Sequence, residues 1–280
     1  MLQHSAAIGG EPVEIFDPMG KDAVLFHYAK SDDPDAIESQ YDDQGAEMVR
    51  QRVEFRGEGR GALVTDLRET LASAKLILFD FDGPICDVFV GLPAASVARR
   101  LEKILGEPVE SDDPLRVLQE SARFGVGVVQ AVEYELVRAE LEAIGSAVPT
   151  PGGVESMRAA LEVGKRVGVL SNNSPKAIGR FLLSIGLMID VTPVVGRAYG
   201  RPELMKPHRY PLQQALMSAR VRPDDVIFIG DSMTDIEVAL AGGVVPVALA
   251  NKLGKRELFE AKSPFVVDDM LSIMAGLQAM

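Results

Sequence analysis

The sequence has little cysteine, a shortage of basic residues and no long apolar run. Cys86 is the one cysteine among 280 residues, which excludes an internal disulfide, and no Cys/His cluster has the spacing of a zinc site. Lys and Arg number 29 against 41 Asp and Glu, so the formal net charge is -12. That charge disfavours nucleic acid or an anionic membrane as a partner. Without a basic leader or about 18 consecutive apolar residues, we expect neither export nor membrane insertion, and a cytoplasmic protein.

The composition is that of a globular protein, with 47% hydrophobic and 25% charged residues. A length of 280 residues allows one large domain or two smaller ones. Much of the acidic excess falls early in the chain, and residues 1–62 are predicted to be an acidic N-terminal extension, with a small hairpin and a linker. A helix over residues 63–74 is predicted to lead into the next domain.

From residue 76 onward, apolar strands alternate with amphipathic helices. Strands are predicted at 76–79, 167–170, 226–229, 244–249 and 265–267. One helix begins after Ser174 and ends at Gly186, and another covers residues 234–241. This alternation predicts an α/β fold with a doubly wound, Rossmann-like parallel sheet that helices cover on both faces.

Residues 91–150 interrupt this alternation with a helical insert. Three helices are predicted: one ends at Gly106, the second begins at Asp113-Pro114, and the third ends at Gly145. The insert separates the first two predicted strands. We therefore expect residues 63–90 and 151–280 to form the core domain, with residues 91–150 as a helical cap.

Polar side chains follow the predicted strands, at the edge where open parallel sheets bind ligands. They are Asp80 and Asp82 after the first strand, Ser171 and Asn172 after the second, Lys206 before a later helix, and Asp231 and Asp235 after a further strand. Taken singly, each has a simpler explanation, because Asp80 or Asp231 could cap a helix and a lone lysine is usually a solvated surface charge. Together, in this order, they predict a functional site.

Carboxylates gathered at one edge of a sheet need a compensating cation. At 4 Å, two of them repel by about 4 kcal/mol near a protein surface. Mg²⁺ is a hard ion that prefers oxygen, so it suits carboxylates together with a phosphate oxygen. A Mg²⁺-dependent reaction of a phosphate compound is therefore expected at this edge.

The same four segments resemble the motifs of the haloacid dehalogenase superfamily, over about residues 75–280. The resemblance implies a Mg²⁺-dependent phosphatase for a small soluble phosphomonoester, with the helical insert in the place of the cap of phosphoglycolate phosphatases and phosphoglucomutases. It implies that Asp80 attacks phosphorus to form an aspartyl-phosphate. Asp82 would be the general acid and base, and Lys206 would shield the negative charges.

The resemblance also assigns the remaining site residues. Asp80, the backbone carbonyl of Asp82 and Asp231 correspond to the metal ligands, and Asp235 supports either the metal or Lys206. Ser171 and Asn172 correspond to the pair that holds the phosphate, together with Lys206.

Two other functions fit the same sequence features. A phosphotransferase or mutase of the β-phosphoglucomutase type would use the same residues but pass the phosphoryl group to a sugar hydroxyl. A non-catalytic, regulatory protein that binds a phospholigand would keep the fold, although it would need neither Asp80 nor Asp82. The substrate and the oligomeric state are left open by the sequence.

Overall fold

A computed structural model of the chain describes residues 66–280. The predicted N-terminal extension, residues 1–62, lies outside the described residues, as do residues 63–65 of the first predicted helix. That helix is observed from Leu67 to Ser73, with Asp66 as its N-cap.

Strands and helices alternate along the described chain. The strands are β1 Leu76–Phe79, β2 Cys86–Asp87, β3 Val148–Pro149, β4 Arg166–Leu170, β5 Val191–Val195, β6 Val226–Gly230, β7 Val245–Leu249 and β8 Phe265–Val267. The α-helices are α1 Leu67–Ser73, α2 Ala94–Leu105, α3 Pro114–Ser121, α4 Val126–Ile144, α5 Gly153–Glu162, α6 Pro175–Ser184, α7 Tyr210–Ala219, α8 Met233–Ala241, α9 Lys255–Glu260 and α10 Met270–Gln278. Short 3₁₀ helices cover Ala122–Phe124, Pro202–Leu204 and Pro223–Asp225.

Six of the strands form one parallel sheet in the order β5-β4-β1-β6-β7-β8. Strand β1 lies in the interior of the sheet and all four of its residues are buried. Its alternate side chains enter two separate apolar clusters, Ile77 and Phe79 on one face and Leu76 and Leu78 on the other. A continuous apolar run is therefore required here, because both faces of the strand are covered. The predicted α/β fold class is confirmed.

The direction of chain growth reverses beside β1. The chain adds β4 and β5 on one side of β1, and then crosses to add β6, β7 and β8 on the other. The reversal lies between the paired strands β1 and β6, and open α/β sheets bind ligands in the crevice at such a point. Phe79 pairs with Val169 on one side and Ile229 on the other. The residues that follow these three strands consequently emerge side by side.

Helices α2, α3 and α4 of the insert pack around a separate apolar cluster, which Met205 of the core also joins. Its buried members include Val97, Leu101, Val117, Val132 and Leu136. The ends of α2, α3 and α4 lie close to the predicted positions, with Gly106 in the left-handed conformation after α2 and Asp113 capping α3. No helix within residues 66–280 has the length and apolar character needed to cross a membrane.

The sequence analysis missed one strand of the main sheet. Strand β5 contains Pro193, which has no N–H to donate and argues against a central strand. In the structure β5 pairs only with β4 and lies at the edge of the six-stranded sheet. A second, two-stranded sheet joins β2 to β3 and brings the two ends of the insert together.

Truncating a buried side chain of β1 should destabilise the protein. Ile77 is fully buried in β1, so Ile77→Ala should lower the free energy of unfolding by about 2–5 kcal/mol, measured by urea denaturation. Ile189 is 93% exposed, so the matched change Ile189→Ala should alter it by no more than about 0.5 kcal/mol. Equal losses in the two variants would contradict the assigned core.

Candidate active site

The ammonium group of Lys206 lies at the centre of the candidate site. It donates to Asp235 Oδ1 at 2.6 Å, pairs with Asp80 Oδ1 at 2.9 Å, and donates to the carbonyl of Leu170 at 3.2 Å. The residue is 2% exposed. Burial alone would lower the pKa of Lys206, but Asp235 and Asp80 outweigh burial and hold that pKa above its ordinary value. Lys206 therefore remains charged and draws three strand ends together.

Asp80 is fixed by its backbone as well as by Lys206. Its N–H donates to the carbonyl of Ile229 at 2.8 Å, which continues the pairing of β1 with β6. Its Oδ1 also accepts the N–H of Phe81 at 2.8 Å. The Lys206 ammonium group and the Phe81 N–H both contact Oδ1. The carboxylate is thus held in one orientation with one oxygen committed to protein contacts.

Asp231 and Asp235 follow β6 and lie beside Asp80. Asp235 forms a capping box at the start of α8, in which its Oδ2 accepts the N–H of Ser232 at 2.9 Å and the hydroxyl at 2.6 Å. One carboxylate oxygen from each of Asp80, Asp231 and Asp235 lies within 4.8 Å of the other two. Gly83 packs against this group, since a Cβ there would come within 2.6 Å of Asp231 Cγ. This close approach explains why residue 83 has no side chain.

The electrostatics of this group favour a cation. Burial, followed by the charge of Asp235, raises the pKa of Asp80 to about 7 against the opposing charge of Lys206. Asp231 adds to the rise. Three carboxylate oxygens in this arrangement form a set of hard donors, which fits a hard divalent cation.

Asp82 occupies the turn between β1 and the insert. Its Oδ1 accepts the N–H of Val88 at 3.0 Å. Burial raises the pKa of Asp82 to about 6, with the hydrogen bond from Val88 opposing the rise and Asp231 adding to it. A carboxyl with such a pKa can exchange a proton near neutral pH, as a general acid and base must.

Ser171 and Asn172 begin the turn that follows β4. The side chain of Asn172 forms two hydrogen bonds to the backbone of Lys206. Its Oδ1 accepts the backbone N–H of Lys206 at 2.8 Å, and its Nδ2 donates to the backbone carbonyl at 3.2 Å. The hydroxyl of Ser171 donates to Asn173 Oδ1 at 3.1 Å and accepts the N–H of Asn173 at 3.2 Å. The turn is therefore joined to the lysine segment by side-chain bonds.

The sequence analysis missed two residues that contact Asp231. Lys255 Nζ donates to Asp231 Oδ2 at 2.7 Å and to its carbonyl at 2.5 Å, and Asn251 Nδ2 donates to Oδ2 at 3.1 Å. Both follow β7, the strand beside β6. The same signal that identified the other residues, a polar group after a strand of the sheet, could have found them.

The sequence of this chain matches a known protein family. The model of the haloacid dehalogenase-like hydrolase family matches residues 74–243, more than half of the chain. The chain belongs to this haloacid dehalogenase-like hydrolase family. The resemblance inferred from the motifs is thereby confirmed, as is the prediction of a hydrolase.

Several relatives of this chain are named phosphoglycolate phosphatases. The protein from Rhodospirillum rubrum is 27% identical over 222 residues, covering 71% of this chain and 89% of its own length. The protein from Synechococcus elongatus is 27% identical over 199 residues, covering 68% of this chain and 90% of its own.

Solved structures of other proteins share the fold of this chain. CbbY from Rhodobacter sphaeroides, solved in complex with phosphate, has a TM-score of 0.59 at 16% identity and covers 73% of this chain and 99% of its own. A predicted phosphatase from Clostridium acetobutylicum has a TM-score of 0.59 at 18% identity, with 74% and 99% coverage.

Removing the central ammonium group should cost stability. Lys206→Met leaves the buried carboxylates of Asp80 and Asp235 without their cation, so the free energy of unfolding should fall by about 3–5 kcal/mol in metal-free buffer. Lys176 is an exposed lysine of the core, and Lys176→Met should change that free energy by no more than about 0.5 kcal/mol. A loss in Lys206→Met as small as in the control would contradict the buried ion pairs.

Proposed function

We propose that this hydrolase is a Mg²⁺-dependent phosphatase that acts on a small soluble phosphomonoester through an aspartyl-phosphate intermediate. The observation that carries the proposal is the grouping of Asp80, Asp231 and Asp235 within 4.8 Å of one another, with Lys206 bonded to two of them. A binding protein needs neither a carboxylate oriented by its neighbours nor a second acid two residues later. The grouping therefore favours catalysis over simple binding.

Mg²⁺ would be held by Asp80, by the backbone carbonyl of Asp82 and by Asp231, with Asp235 supporting Lys206. Charge counting supports a cation. When Asp82 carries its proton, Lys206 and Lys255 provide two positive charges against the three carboxylates of residues 80, 231 and 235, so an excess of negative charge remains before any phosphate binds. The ion would supply charge neutralisation, so that a negative nucleophile can approach a negative phosphate.

The chain's own residues would carry the two chemical steps. Asp80 attacks phosphorus, and as the bond to the leaving oxygen breaks, Asp82 donates its proton to that oxygen. Asp82, now a carboxylate, then takes a proton from a water molecule that attacks the phosphorus of the aspartyl-phosphate. Asp80 and inorganic phosphate are released, and Asp82 is again protonated.

Ser171, Asn172 and Lys206 would bind the phosphate. Because the side-chain amide of Asn172 is bonded to the backbone of Lys206, Asn172 would bind the phosphate through its backbone N–H. Helices α2 to α4 would form a cap, residues 91–150, that excludes water and selects the alcohol part of the substrate.

Phosphoglycolate is the first substrate to test. The relatives from Rhodospirillum rubrum, Xylella fastidiosa and Pseudomonas putida are all named phosphoglycolate phosphatases, at 26–28% identity. Each match covers at least 62% of this chain. We propose that the substrate is phosphoglycolate or a phosphomonoester of similar size.

Replacing the nucleophile should abolish turnover. Asp80→Asn removes the attacking carboxylate, so release of inorganic phosphate from p-nitrophenyl phosphate should fall by about 10⁴-fold or more. Asp87 is an exposed acid in the same segment, and Asp87→Asn should retain turnover within about twofold. Retained activity in Asp80→Asn would refute the assigned nucleophile.

Removal of divalent metal should stop the same reaction. Chelation by EDTA followed by desalting should reduce phosphate release to background, and Mg²⁺ should restore it, because the carboxylate group then regains its compensating charge. Ca²⁺ at the same concentration is the control, since it prefers more ligands and longer bonds and should restore little. Undiminished hydrolysis by the metal-free protein would eliminate the metal role.

A further inference from the structure

Two buried charged residues bind the polar groups of the turn at residues 171–174, which we call the phosphate turn. Arg197 donates its backbone N–H to the Asn173 carbonyl at 3.1 Å and its Nη1 to the Asn172 carbonyl at 3.1 Å. Glu140 accepts the N–H of Ser174 at 3.1 Å and Asn173 Nδ2 at 3.4 Å. Arg197 is 3% exposed and Glu140 is 1% exposed. The shape of the phosphate turn therefore depends on this pair.

The pair joins distant parts of the chain. Glu140 belongs to α4, the long helix of the insert, which packs against α6, and Arg197 follows the edge strand β5. Arg197 Nη1 bonds Glu140 Oε1 directly. Ser174 is the N-cap of α6, so the carboxylate of Glu140 occupies a position where a helix N-terminus favours an anion. The insert thus provides an anion to the same turn that is proposed to hold the substrate phosphate.

Stability alone does not account for this arrangement. Glu133, also on α4 and 1% exposed, accepts from Arg197 Nε at 2.7 Å, so two acids share one base. Glu133 Oε2 and Arg197 Nη2 are buried without a hydrogen-bond partner among the described residues. Apolar side chains of similar size often hold two elements together as well as a buried ion pair does, without the cost of desolvating ions. The retained charges point to a requirement for orientation at the turn.

We infer that Glu140, held by Arg197, is a positioning residue for phosphate binding. By fixing the Ser174 N–H and the Asn173 side chain, it keeps Ser171 Oγ and the Asn172 N–H placed to receive the phosphate. This inference rests on the proposed function, because it assumes that the turn binds phosphate. It adds that the insert, through α4, sets the affinity of the core for the phosphate group itself and not only for the alcohol part.

The experiment compares two truncations on α4. Glu140→Ala removes the acceptor for the turn, whereas Leu136→Ala, one turn earlier, shortens a fully buried side chain of the insert's apolar cluster. Inorganic phosphate is the probe, measured as a competitive inhibitor of p-nitrophenyl phosphate hydrolysis by the Mg²⁺-loaded protein. Mg²⁺ affinity is measured separately by calorimetry, and folding by thermal denaturation.

For Glu140→Ala we expect the inhibition constant for phosphate and the KM each to rise at least tenfold, with Mg²⁺ affinity within twofold of the unaltered protein. Leu136→Ala should lower the melting temperature but leave the inhibition constant within twofold. A folded Glu140→Ala protein with an unchanged inhibition constant would overturn the inference. An equal rise in Leu136→Ala would also overturn it, because general loosening of the insert would then suffice.

Two further measurements keep the test decisive. If Glu140→Ala does not fold, Glu140→Gln decides in its place, since its NH₂ group must oppose either the Ser174 N–H or Arg197. The inhibition constant should then rise at least threefold, and no rise would refute the positioning role. Failure of the proposed function has a different signature, which is an unaltered protein that neither hydrolyses p-nitrophenyl phosphate with Mg²⁺ nor binds inorganic phosphate.

Discussion

The ammonium group of Lys206 is the contact on which the rest of the site depends. It bonds Asp80 after β1, Asp235 after β6 and the carbonyl of Leu170 at the end of β4. Two buried carboxylates cannot share this space without it, since each repels the other by about 4 kcal/mol at 4 Å even in the higher effective dielectric near a surface. One ammonium group does not neutralise the whole acidic cluster, however. The acidic cluster around Lys206 therefore also favours a divalent cation beside the ammonium group.

Much of the site could be predicted because a parallel sheet brings the carboxyl ends of its strands to one edge. Asp80 and Asp231 are far apart in sequence, yet they become neighbours because β1 and β6 pair directly at the point where chain growth reverses. Each was recognisable from a local signal, a buried apolar run that ends in an acid. Local signals sufficed wherever the residue's position followed from the strand that carries it.

The residues of the Arg197 group were not predicted, because their partners come from other parts of the fold. Arg197 follows β5, which was not predicted as a strand because it contains Pro193. The contacts of Arg197 with α4 depend on how the insert packs on the core. Glu133 and Glu140 did carry a signal that was not used. They are seven residues apart and lie on the buried face of α4, and two acids at that spacing on an apolar face of a helix call for a buried cation.

The insert contacts two parts of the proposed active site, the turn that carries Asp82 and the phosphate turn. At its base, the carbonyl of Gly83 accepts the hydroxyl of Thr150 at 2.5 Å, and the N–H of Gly83 donates to Cys86 at 2.8 Å, so the turn that carries Asp82 is tied to the strands that close the insert. Near the C-terminal end of α4, Glu140 is bonded to the turn after β4. The insert therefore contacts both the turn that carries the proposed acid and the turn that is proposed to hold the phosphate. Because the proposed acid must meet the leaving oxygen while the turn holds the phosphate, these contacts make the placement of both groups depend on how the insert packs on the core.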